Sequence, residues 1–269
     1  MTFPVSGPIS AREFQQALGD IHAGLDSVNS SVAKIFEHSN RALFLLPAGL
    51  GDGLRSALEE LGRQITELGE IIVKFLANPG DPLKLFATAG EWTTKVGGPI
   101  SAMSGQISSE QLRIDNFWTG PAADAYAATL PAQQKAIEAI EAAADTLDAN
   151  LTKVAGGIVA FWVGLAIPFA SYVSELVVEA AAAQTGVGAP PAAAAAGAST
   201  AKFIALVSAV ILAFSTYTAL VFDSLSALRQ ALYSNAPFPG GGWPRSNPSD
   251  FNDGSLADGD TTGWRMNVD

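Results

Sequence analysis

At 269 residues the chain is long enough to bury a sizeable core, as one long domain or two shorter ones. Apolar residues make up 48% and charged residues only 15%, against the roughly one quarter charged that is usual in soluble proteins, so the chain is either unusually buried or partly lipid-facing. Fifteen basic against twenty-six acidic residues, a net charge of −11, leave no broad cationic surface for phosphates and exclude nucleic acid from the expected partners; the absence of cysteine removes disulfides, thiolate zinc sites and a cysteine nucleophile.

Met1 to Ser10 lack the basic start and apolar run of a secretory signal and hold two prolines, so any export is expected by another route. Ser10-Ala11-Arg12-Glu13 then reads as a capping box that opens a helix. Phe14, Leu18, Ile21, Leu25, Val28, Val32 and Ile35 follow at alternating spacings of four and three, the seam of packed helices, with Gln15, Asp20, Asp26 and Lys34 opposite. The pattern fades after Arg41 through Leu43-Phe44-Leu45-Leu46-Pro47 into an expected turn at Gly49, Gly51 and Gly53. A second seam runs Leu54, Leu58, Leu61, Ile65, Leu68, Ile72 and Phe75 and stops at Asn78-Pro79-Gly80, which predicts an antiparallel helical hairpin.

A third seam, Leu85, Trp92, Val96, Ile100, Met103, Ile107 and Ile114, is interrupted by Gly97-Gly98-Pro99, where a kink or break is expected. A fourth runs from Tyr126 and Leu130 through Ile137, Ile140, Ala144, Leu147, Leu151 and Val154 to Ile158. These two predict a second hairpin, and two hairpins suffice to close a four-helix bundle through about Lys153. Beyond it, Val154 to Ser174 and Phe203 to Phe222 carry no charge, and each is long enough as a helix to span about 30 Å, the thickness of a bilayer core. The second run holds eleven Leu, Ile, Val or Phe residues; the first holds fewer, together with Gly156, Gly157, Gly164 and Pro168. Both fit membrane spans and both fit central helices of a soluble bundle. Glu175 to Lys202, with Gly186, Gly188, Pro190-Pro191 and an alanine run, reads as a low-complexity connector, and Pro237 to Asp269 as a flexible tail.

Candidate chemistry is sparse. His22 lies four residues before Asp26 and His38 follows Glu37, neither arrangement being a metal pair or a triad. Glu59-Glu60 with Glu67 and Glu70, and Glu138 with Glu141, read as solvated helix faces, and the glycines at 49 to 53 and 240 to 242 lack the Lys-Ser/Thr of a phosphate loop. No catalytic, cofactor or metal residue is therefore assigned, and a non-enzymatic protein is expected.

The stretch Asn116-Phe117-Trp118-Thr119-Gly120-Pro121-Ala122-Ala123-Asp124-Ala125-Tyr126, set between two heptad-patterned segments, resembles the turn of the WXG (ESAT-6-like) family exported by ESX, or type VII, secretion systems. Glycine permits a backbone conformation closed to other residues, proline suits a first helical turn, and small residues let the paired helix approach. The resemblance covers about Leu83 to Lys153, and the layout is similar to mycobacterial ESX secretion-associated proteins with such a turn ahead of long hydrophobic segments. It implies Trp118, Gly120, Pro121 and Tyr126 as turn-motif residues, and secretion machinery or a WXG-type helical partner. The family's Tyr-x-x-x-Asp/Glu signal is missing after each of Tyr126, Tyr172, Tyr217 and Tyr233, the nearest being Tyr172 with Glu175, so export alongside a partner bearing that signal is expected.

Together these readings predict an all-α, elongated bundle of two helical hairpins (1–81 and a WXG-like 82–153), a hydrophobic helical hairpin (154–236) and a disordered tail (237–269). The expected protein is secreted or cell-envelope associated, acting by protein and membrane contact, with membrane lipid and further copies of itself as other partners. A helical pore-forming protein and a resident membrane protein with a soluble helical domain are the alternatives.

Overall fold

The structure, a computed structural model, describes residues 11–107, 120–234 and 236–245, and among these the fold is all-α with no strand. In chain order the helices are α1 (Ala11–Leu43), α2 (Ala48–Leu76), α3 (Pro82–Trp92), α4 (Gly98–Ser104), α5 (Pro121–Ala183) and α6 (Ala189–Leu232). A π-helical segment, Thr93–Gly97, joins α3 to α4. Two compact units divide the chain: Met1–Leu83 with Val154–Ala219, and Lys84–Lys153 with Leu220–Asp269.

The first unit is built on the α1 and α2 seams. Phe14, Ile21, Val28, Val32 and Ile35 of α1 and Leu54, Leu58, Leu61, Leu68 and Ile72 of α2 are buried, because helical spacing of four and three brings each set onto one stripe. The outer faces hold the ion pairs Arg41–Glu37, Arg55–Asp52 and Arg63 with Glu60 and Glu67, all exposed. Sequence periodicity pairs the two amino-terminal hairpins with each other; the structure instead gives α1 and α2 the apolar part of α5 and α6 as core partners. Both stripes need a wide apolar surface, and Val154 onward supplies aromatic and aliphatic side chains all round the helix.

An aromatic row on α5 ties this core together. Trp162 is fully buried and its indole N–H donates to the Pro79 carbonyl oxygen at 2.9 Å. Phe161 meets Trp162 edge-on and lies 5.3 Å, centroid to centroid, from both Phe75 of α2 and Phe214 of α6. Phe203 of α6 stacks on Tyr172 at 4.8 Å, and the Tyr172 hydroxyl bonds the buried Thr200 hydroxyl at 3.0 Å. On α1, a Cβ at Gly24 would overlap the edge of the Phe169 ring, so glycine there is what lets α1 lie against α5.

Three local expectations change. Gly49, Gly51 and Gly53 lie in the first turns of α2 rather than in a turn, because Pro47 immediately precedes the helix and the Leu54 to Phe75 stripe continues its register. The segment Glu175 to Lys202 is mostly helix: alanine has the best helix propensity, the adjacent prolines 190 and 191 fall in the first turn of α6 where their missing donors cost little, and only Gln184 to Gly188 turn the chain. At Gly97-Gly98-Pro99, where a kink or break is expected, the chain does not break: the helix continues through the π segment, whose Gly98 N–H reaches the Thr93 carbonyl oxygen. Of the residues expected to form a flexible tail, Pro237 to Arg245 are described: they include a short 3₁₀ turn at Pro239–Gly241, and the Gln133 amide donates to the Pro244 carbonyl oxygen at 3.2 Å. The remainder of that tail, and the Ser10 cap, lie outside the described residues.

Candidate functional site

The turn that carries the family resemblance is only partly visible: Trp118 lies outside the described residues, whereas Gly120, Pro121 and Tyr126 lie within them. Gly120 has φ +107°, and its carbonyl oxygen accepts the Asp124 N–H at 3.1 Å to open α5, with Pro121 as the first helical residue. Tyr126 is partly buried and packs with Ile107 against the small cluster of Ala123 and Leu130. A Cβ at Gly120 would meet no atom within 4 Å, so the demand for glycine is one of backbone angle alone. Gly120→Val is therefore expected to destabilise by about 1–3 kcal/mol through strain at positive φ, read as a lower midpoint in urea; an unchanged midpoint would show that the turn relaxes.

Of the side chains weighed for chemistry, Glu60 and Glu67 share Arg63 as an exposed ion-pair partner. The His22 ring pairs through Nδ1 with the Leu18 carbonyl oxygen at 2.8 Å, one turn back in its own helix. Glu60 is bonded by Arg63 and Gln64, and the Arg63 bond holds its carboxyl below the usual range. No three His, Asp or Glu side chains converge as metal ligands among the described residues.

What the described residues do show is exposed apolar side chains along both long helices. On α6 the face that packs inward, Ala189, Ala192, Ala193, Ala196, Thr200, Phe203 and Val207, is fully buried, but burial fades beyond Val207. Only 11% of the most apolar stretch of α6 is buried, against 39% for that of α5. Leu212 is 69% exposed, as is Phe222, and Leu220 is nearly so. On α5, Ile167, Val177 and Val178 are likewise exposed. Both helices are long and apolar enough to cross a membrane. Periodicity left open which side of each helix would stay exposed, because apolar residues surround both, so no stripe marks the side the core will take.

At the turn end of this pair sit Glu175 and Glu179 of α5 and Ser199 and Lys202 of α6. Lys202 Nζ lies 3.7 Å from Glu175 Oε1, and the Ser199 hydroxyl donates to Glu179 Oε1 at 2.9 Å. Glu179 Oε2 is buried with no hydrogen-bond partner. Burial pushes the Glu179 carboxyl above the usual range; the Ser199 bond works against that and the charge of Glu175 adds to it. In the second unit, Ala139, Ala143 and Thr146 of α5 and Ser224, Ala227 and Leu228 of α6 line an open groove. Beside it the buried Asn150 amide donates to the Ser224 hydroxyl at 3.2 Å. Compared with protein-family models, with curated proteins and with solved structures, the chain matches none.

Proposed function

We propose that this is a non-enzymatic helical protein, exported by or associated with a type VII secretion system, that acts by contact with partner proteins and with membrane lipid. The observation that carries the membrane part is the uncovered apolar face of α6 around Leu212. Water penalises such a face by about 25 cal/mol for each Å² of apolar surface, and hydrocarbon does not. The export part rests on the resemblance of the Trp118 to Tyr126 turn and on the positive φ of Gly120, which suits that turn.

The ion pairs on the outer faces of α1 and α2 cannot lie in hydrocarbon, so a spanning hairpin has to part from them. That observation favours a second reading, a pore-forming protein whose apolar pair stays packed in water under the α1–α2 hairpin and is released at a membrane. Dye leakage from liposomes separates the two.

Leu212→Asp tests the membrane part directly. Because Leu212 is exposed, the substitution should leave the helical fold in water intact, while making bilayer insertion less favourable by about 3 kcal/mol. The unaltered protein should float with liposomes and the variant should stay in the aqueous phase. A wild-type protein that never floats would reduce α6 to a soluble helix, and appearance in culture fluid irrespective of the secretion ATPase would remove the export part.

A further inference from the structure

From Val154 to Phe222 the only charged side chains are Glu175, Glu179 and Lys202. All three lie toward the Gln184 to Gly188 turn, the end of the helical pair that would have to pass through a bilayer first. Glu175 and Lys202 form an ion pair and offset one another, which leaves the Glu179 carboxylate as the net charge of that end. Its Oε1 accepts from Ser199, and its buried Oε2 is the free position for a proton.

The packed helices do not supply another counter-charge. Gln64 of α2 lies opposite Gly197 of α6, and Phe36 of α1 lies opposite Gly62 of α2, which fixes the level of this end along the bundle. The charged and titratable groups near that level are Lys34, Glu37 and His38 on α1 and Glu60, Arg63 and Glu67 on α2. Glu37 is paired with Arg41, Glu60 and Glu67 are paired with Arg63, and Lys34 is exposed. Among the described residues, none of them makes a hydrogen bond or ion pair with Glu175, Glu179 or Lys202.

We infer that acid opens the way into the bilayer: a proton taken from solution onto Glu179 leaves the tip of the apolar pair without net charge, and only the neutral tip crosses hydrocarbon readily. The inference rests on the membrane reading above. The proton is carried across on the carboxyl and given up to water on the far side, so no other reactant is needed. Burial already favours the protonated form, so the sign of the linkage is fixed. Through this group the bundle loses stability as pH rises from the ordinary carboxylate range through the raised one, and it is not unfolded by acid. Acid therefore acts on transit, not on the packing around Glu179.

The test is the rate of flotation of the full chain with vesicles of zwitterionic phosphatidylcholine, whose own charge stays constant, between neutral and mildly acidic pH. For one required proton, the wild-type rate should rise by up to about tenfold for each unit of fall in pH while Glu179 is mostly ionised. Glu179→Gln keeps the shape and an acceptor for Ser199; it should insert at neutral pH as fast as the wild type does in acid, with a flat profile. Glu175→Gln gives the opposite sign: its tip is neutral when Glu179 is ionised and positive when it is protonated, so its insertion should slow in acid. A wild-type rate independent of pH, or a Glu179→Gln profile unchanged from wild type, overturns the inference while the membrane reading stands. Failure of every variant to float at any pH overturns both.

Discussion

A chain ending at Lys153 is expected to lose cooperative unfolding and to aggregate, although its four seams suggest a complete bundle. Phe14, Ile21, Val28, Ile35, Leu54, Leu58, Leu61, Leu68 and Ile72 are buried in a core that also contains Val159, Phe161, Trp162, Leu165 and Phe169, all beyond the truncation. Each of the first set contributes about 1.5–3 kcal/mol when fully buried. Contacts between α1 and α2 would keep part of that, but losing even half is on the order of the whole stability of a domain, about 5–15 kcal/mol. Far-UV circular dichroism through a thermal melt, with size-exclusion chromatography, reads the outcome. A monomeric fragment with a sharp transition would mean that the amino-terminal hairpin finds another partner within residues 1–153.

Trp162→Ala should be the most damaging single substitution in the first unit. Truncating a buried tryptophan costs about 3–5 kcal/mol in lost packing and residual cavity, and the Pro79 carbonyl oxygen loses its indole donor at the same time. Trp162→Phe separates the two effects. It keeps most of the contact with Phe161 and should cost about 1 kcal/mol, the net worth of one hydrogen bond, because Pro79 is only half-buried. At 2–4 °C for each kcal/mol, the alanine variant should melt roughly 10 °C lower. If the phenylalanine variant melts with the wild type, water replaces the indole at Pro79.

Much of the helical content was legible because amphipathic helices announce themselves. Every residue of the α1 seam is buried or packed against the core, and the same holds for α2 from Leu54 to Phe75. What periodicity cannot supply is the identity of the facing helix, since a stripe of Leu and Ile packs as well on one apolar surface as on another. The decision fell to α5 and α6, whose Gly24 contact at Phe169, indole bond at Pro79 and Tyr172 pair with Thr200 are single-residue details invisible in a heptad. Composition misled at the connector, where a run of alanine with two prolines suggests an unstructured linker but suits a helix that begins with the prolines. The Glu179 cluster was out of reach because Ser199 is twenty residues away in sequence, on the neighbouring helix.

The π segment bears on how this chain tolerates changes of length. A turn closed five residues apart holds one residue more than an α-turn, so Thr93–Gly97 amounts to an insertion that the helix has already absorbed. Thr93 is bonded to Asp148, and a Cβ at Gly97 would lie 3.7 Å from the Ala144 methyl, so the first and last residues of the wide turn are both held in register against α5. Removing one residue there would restore α-helical winding and swing Ile100 and everything after it by about 100° around the axis. From Pro237 to Gly242 the chain holds only one short 3₁₀ turn, so a residue gained or lost there turns no α-helix face. Related chains should therefore vary in length at that second place, while keeping the count between Trp92 and Pro99 fixed.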